Sequence, residues 1–280
     1  MIRICVVLLA MLQLGFSQTT KPVFETKFYE ARDRWVLFDK KEDQESYSLG
    51  MIYIDPNQGY MFQYEAAVEL RGGKLIKLPR LDSSSIKMRL DRNTLDVALL
   101  SEPDIVALDL EPKPEWLRQY RKNQDFITHR IGVASAMNGA GASHLALPIL
   151  LNAYQEDPNY PGLRYEIGYG YNATGSFYKA VMFLNQAIEQ EPQNFWYYRE
   201  LGFALKHLNN LSEAEKAYKK GIALTSDGFQ KAEMAINMTQ SYFHIKDREK
   251  FNEWKKIVLD HADEESVFMG YIQYFEENWF

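Results

Sequence analysis

Residues 198–205 read Tyr198-Arg199-Glu200-Leu201-Gly202-Phe203-Ala204-Leu205, and they lead to Ala214 and Tyr218. A step of 34 residues backwards finds Ile167 and Gly168 for Leu201 and Gly202, Tyr171 for Leu205, Ala180 for Ala214 and Leu184 for Tyr218. A second such step finds Val133, Met137, Ala146 and Leu150. Ala153, Ala187 and Gly221 keep the register, as do Gly141, Gly175 and Asn209. Each position has a physical reading. Ile167 and Tyr171, four apart, share one face of a first helix. Gly168 and Gly202 let two helix backbones approach. Gly141, Gly175 and Asn209 suit the left-handed conformation that ends a helix. Ala180 and Ala214 are small where the second helix crosses the first, and Leu184 and Tyr218 fill the space beside them. Pro158 and Pro192 close two units, since proline cannot continue a helix interior.

The pattern weakens at both ends. In the first unit Ala134 replaces the glycine, and Pro148 is expected to kink the second helix. A fourth, degenerate unit fits Met238 to Val258, with Tyr242 in its first helix and Phe251, Trp254 and Ile257 in its second. It needs an insertion of about three residues near Gly228, and its Phe251 takes the usual small position, which suits a terminal cap. Residues 262–280 add a final helix through Val267, Tyr271 and Tyr274.

Over roughly residues 125–260 the chain resembles the tetratricopeptide repeat family, whose units carry Leu-Gly, a Tyr, then Ala, Phe and Pro at fixed offsets. The resemblance implies a right-handed superhelix of helix pairs, with the first helix of each pair lining a concave face that holds protein partners. The residues on that face would include Tyr165, Tyr169 and Asn172 in the middle unit and Trp196, Arg199, Phe203, Lys206 and His207 in the next. Tyr, Trp and Arg dominate binding energy at interfaces, and the cations beside Trp196 and Phe203 suit an extended acidic or aromatic peptide. The version of the family that clamps a terminal carboxylate needs cations where Ile131 and Tyr165 stand, so that subtype is not expected.

Upstream the apolar period is near two. Trp35–Phe38, Met51–Ile54, Tyr60–Leu70, Leu75–Leu78, Ile86–Leu90 and Leu95–Leu99 read as strands. In the last two, Ile86, Met88, Leu90, Leu95, Val97 and Leu99 are expected on a buried face. Asp55-Pro56-Asn57-Gln58-Gly59 and Arg71-Gly72-Gly73-Lys74 are turns. Six to eight strands joined by short turns predict an antiparallel meander forming a small sandwich or open barrel. The aromatics from Phe24 to Tyr64 read as core and cross-strand pairs, with a ligand pocket as the other reading. Residues 101–124, punctuated by Pro103, Pro112 and Pro114, read as a linker with short helices over Asp104–Leu108 and Glu115–Lys122. The fold class is therefore α+β, with a β-rich domain over 18–100, the linker, the repeat array over 125–260 and a cap over 261–280.

Residues 1–17 read as an export signal. Arg3 precedes an apolar run from Ile4 to Leu14, and Gly15 and Ser17 suit cleavage after Ser17. The run is about 12 residues, short of the roughly 20 that span a bilayer, so no integral membrane segment is expected after cleavage. Cleavage also removes the single cysteine, Cys5, and leaves stability to packing alone. The expected location is periplasmic or extracellular. An export signal, a small β-rich region and a short array together also look like exported proteins of Bacteroidota-type bacteria.

With 280 residues, 46% hydrophobic and 25% charged, the composition is that of a folded globular chain. A net charge of -6 lacks the basic footprint of a nucleic-acid binder. Five histidines, His129, His144, His207, His244 and His261, have no zinc-type spacing. No GxSxG, phosphate-loop or dinucleotide motif occurs. No cofactor, metal or catalytic residue is expected. The function expected is a non-catalytic interaction scaffold with a protein or peptide partner. The alternatives are a glycan- or small-ligand-binding protein using the β domain, and an enzyme of unassigned class.

Overall fold

The structure is a computed structural model, and it describes residues 21–41, 44–79 and 85–280. The segment read as an export signal lies outside the described residues. The chain divides into two compact units. One holds the sheet and runs to Arg118; the other holds Ile54–Tyr60, Leu90–Arg92 and everything from Gln119 onward.

Six strands among the described residues form one antiparallel sheet: β1 Arg34–Phe38, β2 Tyr47–Asp55, β3 Gly59–Arg71, β4 Lys74–Lys77, β5 Ile86–Arg89 and β6 Ala98–Leu99. Their order is β4-β3-β2-β1-β6, with β5 also on β3. The expected meander holds only from β1 to β4. At 13 residues, β3 is long enough to carry two partners along one edge. Its first half pairs with β5 (Met61 opposite Arg89, Tyr64 opposite Ile86), and its second half pairs with β4 (Val68 opposite Lys77). The chain then returns to the free edge of β1 as β6. Of the two expected forms the sandwich does not occur among the described residues: the strands make one antiparallel sheet, as an open barrel would.

Two burial expectations fail on these late strands. Ile86 and Met88 alternate as predicted but are exposed, because β5 is an edge strand with no covered face. The strand expected over Leu95–Leu99 shrinks to two residues. Leu95 and Leu99 are exposed, while Val97, Ala98 and Leu100 are buried. The aromatics behave as core. Phe28, Trp35, Tyr47, Tyr53, Tyr60 and Phe62 are buried, and Phe38 meets Phe62 edge-on at 4.9 Å. Helix α1 (Glu102–Ala107), capped by Ser101, and a 3-10 turn over Glu115–Arg121 occupy the expected linker. Both belong to folded structure: Leu108, Leu110 and Leu117 are buried, Trp35 Nε1 donates to Glu111 O at 2.8 Å, and the Trp116 ring meets Tyr53 at 5.2 Å.

Nine consecutive helices make up the second unit among the described residues: α2 Ile127–Gly139, α3 Ser143–Glu156, α4 Leu163–Ala173, α5 Phe177–Gln190, α6 Phe195–His207, α7 Leu211–Leu224, α8 Gly228–His244, α9 Arg248–His261 and α10 Val267–Glu277. The first eight form four tetratricopeptide-like pairs. Ala146, Ala180 and Ala214 are fully buried, as are Leu150, Leu184 and Tyr218 beside them. Gly141, Gly175 and Asn209 take positive φ at each turn, and Lys246 does so in the fourth pair. The step from Asn209 to Lys246 is 37, which locates the three-residue insertion in α8, 17 residues long against 13 for α6. Pro148 lies inside α3. Phe251, too large for its position, is buried against Trp279 and Phe275, whose ring centroids lie 4.6 and 6.5 Å away.

The final helix forms where expected. Phe268, Ile272 and Phe275 are buried in the last core, while Val267, Tyr271 and Tyr274 are 59%, 49% and 57% exposed. Apolar residues surround α10 on more than one side, so composition alone does not select the covered stripe.

Candidate partner-binding face

The Asn194 side chain accepts from the Trp196 N–H and starts α6, whose first turn is entirely aromatic. Tyr197, Leu201 and Ala204 turn inward and are buried. That leaves Trp196, Arg199, Phe203 and His207 on one helical stripe. Trp196 is 37% exposed, and the Arg199 guanidinium lies 4.4 Å over its ring.

Arg199 also reaches the neighbouring first helix. Its Nε and one terminal nitrogen donate to Glu200 Oε1 at 3.2 and 2.7 Å. The other terminal nitrogen donates to Gln230 and Glu233 on α8 at 3.0 and 3.2 Å. Lys206 does likewise, donating to Asn237 at 2.8 Å and Gln240 at 3.2 Å. Asn172 is 5% exposed and gives its amide to the main-chain carbonyl and carboxylate of Glu200, at 2.9 and 3.0 Å. Asn138, one step of 34 earlier, makes the same pair of bonds to Glu166 at 3.0 and 2.8 Å. Asn172, Arg199 and Lys206 thus give their polar groups to the neighbouring repeat. Packed helices lie about 8–10 Å apart, within reach of these side chains, and their donors clasp the next repeat.

The remaining expected residues form two aromatic groups. Tyr165 stacks on Tyr197 at 5.3 Å and lies 6.4 Å from Tyr169. Burial, and then the negative Glu200, push the Tyr165 hydroxyl far above the usual phenol range. The Tyr169 hydroxyl accepts from Arg92 at 2.9 Å. Around α6, His207 lies 4.4 Å from Phe203 and parallel to Phe177 at 4.6 Å. Burial, and then the charge of Lys206, hold its imidazole below the usual histidine value and favour the neutral ring.

Sequence reasoning missed the continuation of this face past the insertion in α8. The contacts of Arg199 and Lys206 put Glu233, Asn237 and Gln240 there. In α10 the buried positions 268, 272 and 275 repeat the spacing of 197, 201 and 204 in α6. Val267, Tyr271 and Tyr274 therefore take the places of Trp196, Glu200 and Phe203. The recoverable signal was the 37-residue step, which shifts the register by three. Gly132 occupies the Glu200 position of the first pair, and a Cβ there would meet the Pro56 carbonyl oxygen at 2.7 Å.

Burial of Lys206 without a carboxylate partner pulls its pKa down to about 8. In the unfolded chain the lysine keeps its ordinary value, so between about pH 8 and 10 the unfolded state binds more protons and stability rises with pH. Urea unfolding at about pH 7.5, 8.5 and 9.5 checks this across that window. Lys206→Met should reduce the upward slope, and an unchanged slope would contradict the burial of a charged amine there.

Neither a protein-family model nor a curated protein sequence matches the chain. Among solved structures, a protein described as a thermophilic TPR protein in Thermus thermophilus, TTC0263, is 16% identical, covers 58% of this chain and 87% of its own, and has a TM-score of 0.48. MamA from Desulfovibrio magneticus RS-1 is also 16% identical, with 54% and 85% covered and a TM-score of 0.47. MamA AMB-1 is 20% identical, with 56% and 84% covered and a TM-score of 0.43. The tetratricopeptide-like character of the helical unit rests on its own 34-residue register and the packing of its four helix pairs.

Proposed function

We propose that this chain is a non-catalytic scaffold that holds an extended segment of a partner protein along the face of α4, α6, α8 and α10. The observation that carries the reading is the exposed aromatic set on that face: Trp196, then Tyr271 and Tyr274 beside Val267 on the terminal helix. Large aromatics left in water on a surface whose other positions are filled by interhelical clasps suit an interface anchor. No helix among the described residues is long and apolar enough to cross a membrane. Export through residues 1–17, supported by Arg3 and the apolar run behind it, would place the scaffold outside the cytoplasm.

The test uses the full chain as bait in extracts of its native host. Trp196→Ala and Tyr274→Ala should each reduce capture of the principal partner by about tenfold or more. Tyr178→Ala, an exposed aromatic on the second-helix side, should leave capture unchanged. Wild-type capture by both face variants would remove the assignment. Arg199→Ala is unsuitable here, because it leaves the buried Glu200 without its cation.

A further inference from the structure

Glu166 and Glu200 stand one repeat step apart and are held alike by Asn138 and Asn172. They differ at the other carboxylate oxygen. Glu200 Oε1 receives Arg199 through two nitrogens. Glu166 Oε1 receives the Ser135 hydroxyl at 2.7 Å, and the residue before it is Tyr165 rather than an arginine. No cation reaches Glu166 among the described residues. Burial raises its pKa above the usual carboxylate range, and the bonds from Asn138 and Ser135 oppose that rise. Its two oxygens hold lone pairs beyond those two bonds. A partly buried carboxylate met by neutral donors alone is an unbalanced charge.

The surroundings suit one kind of counter-ion. Tyr165 precedes Glu166 on α4, and Tyr169 lies one turn on. Aromatic rings accept a planar cation face-on, and the same face already contains that arrangement where Arg199 lies over Trp196. The Arg199–Glu200 pair shows that a guanidinium fits a carboxylate at this register. We propose that Glu166, with Tyr165 and Tyr169, is the receptor for an arginine side chain of the partner segment. Arg92 is its intramolecular competitor: its guanidinium is at the Tyr169 hydroxyl and makes no bond to Glu166. This inference rests on the reading of the face as a partner site and names the chemistry of one subsite. It adds a cationic anchor to the acidic or aromatic peptide expected from sequence.

The experiment titrates the full-length protein with N-acetyl-arginine amide and with its neutral isostere N-acetyl-citrulline amide, followed by NMR shifts. The wild type should prefer arginine by about tenfold, the scale of a charge-assisted hydrogen bond. Glu166→Gln should abolish the preference, and Glu166→Asp should retain most of it. Tyr165→Arg should block binding by rebuilding the Arg199–Glu200 pair within α4, which gives a second variant should Glu166→Gln fail to fold. Equal binding of the two amides, or a preference that survives in Glu166→Gln, overturns the proposal. Partner capture that depends on Trp196, without any arginine preference, would sink this subsite and leave the face intact. An arginine preference with capture indifferent to Trp196 and Tyr274 would do the reverse.

Discussion

Trp254→Ala lowers the unfolding free energy of the helical unit by about 3–5 kcal/mol, the range for deleting a buried tryptophan. Trp254 is fully buried in the core shared by α7, α8, α9 and α10, with Tyr218, Met234, Ala235, Phe251 and Val258. Its Nε1 donates to Glu215 Oε1 at 2.8 Å, so one side chain fills the fourth pair and fastens it to the third. Alanine removes the ring and leaves Glu215 to Lys250, which donates to it at 3.0 Å. Equilibrium urea unfolding followed by circular dichroism measures the change. A loss below about 1 kcal/mol, under the range for such a deletion, would mean that the fourth pair does not share the core of the third.

Gly202→Val costs about 2–3 kcal/mol or more, the upper range for overpacking. A Cβ at Gly202 would lie 2.7 Å from two ring carbons of Tyr218. That ring is fully buried and has no space to withdraw into. Gly270 in α10 is the comparison, since a Cβ there meets nothing within 4 Å. Gly270→Ala should raise stability by about 0.5–1 kcal/mol through helix propensity alone. Thermal unfolding of both variants should thus move in opposite directions. A rise in both would show that α6 and α7 do not approach as closely as described.

The array is legible in sequence because its apolar positions recur with a fixed step, and a fixed step survives changes of side chain. Ala146, Ala180 and Ala214 identify a crossing point without any knowledge of the partner helix. The sheet is less legible. Alternation in Ile86-Lys87-Met88 reveals extended chain, but which face is covered depends on strand order, and β5 is at an edge. The two-residue β6 sits on β1, with Leu99 opposite Val36, and local pattern holds no trace of so distant a pairing.

The site is legible in residue types, while the contacts its cations make inside the array are not. Arg199 and Lys206 look partner-facing because long cations on a repeat surface usually meet solvent. Their acceptors on α8 lie 31 residues on (Gln230, Asn237) and 34 residues on (Glu233, Gln240), and Glu253 lies 34 on from Lys219 at 2.8 Å. The clasps therefore fall at the repeat step or one helical turn short of it. Tyr271 and Tyr274 read as helical, and an all-round apolar helix offers no phase from which to choose its covered side.

Asn138 and Asn172 hold Glu166 and Glu200 in the same way, and this makes the chain divisible. Excising residues 163–196 would bring Asn138 opposite Glu200, a carboxylate of the kind it already grips. A shortened molecule with one hairpin fewer would close on matching chemistry, whereas a cut a few residues longer or shorter would put every junction out of phase.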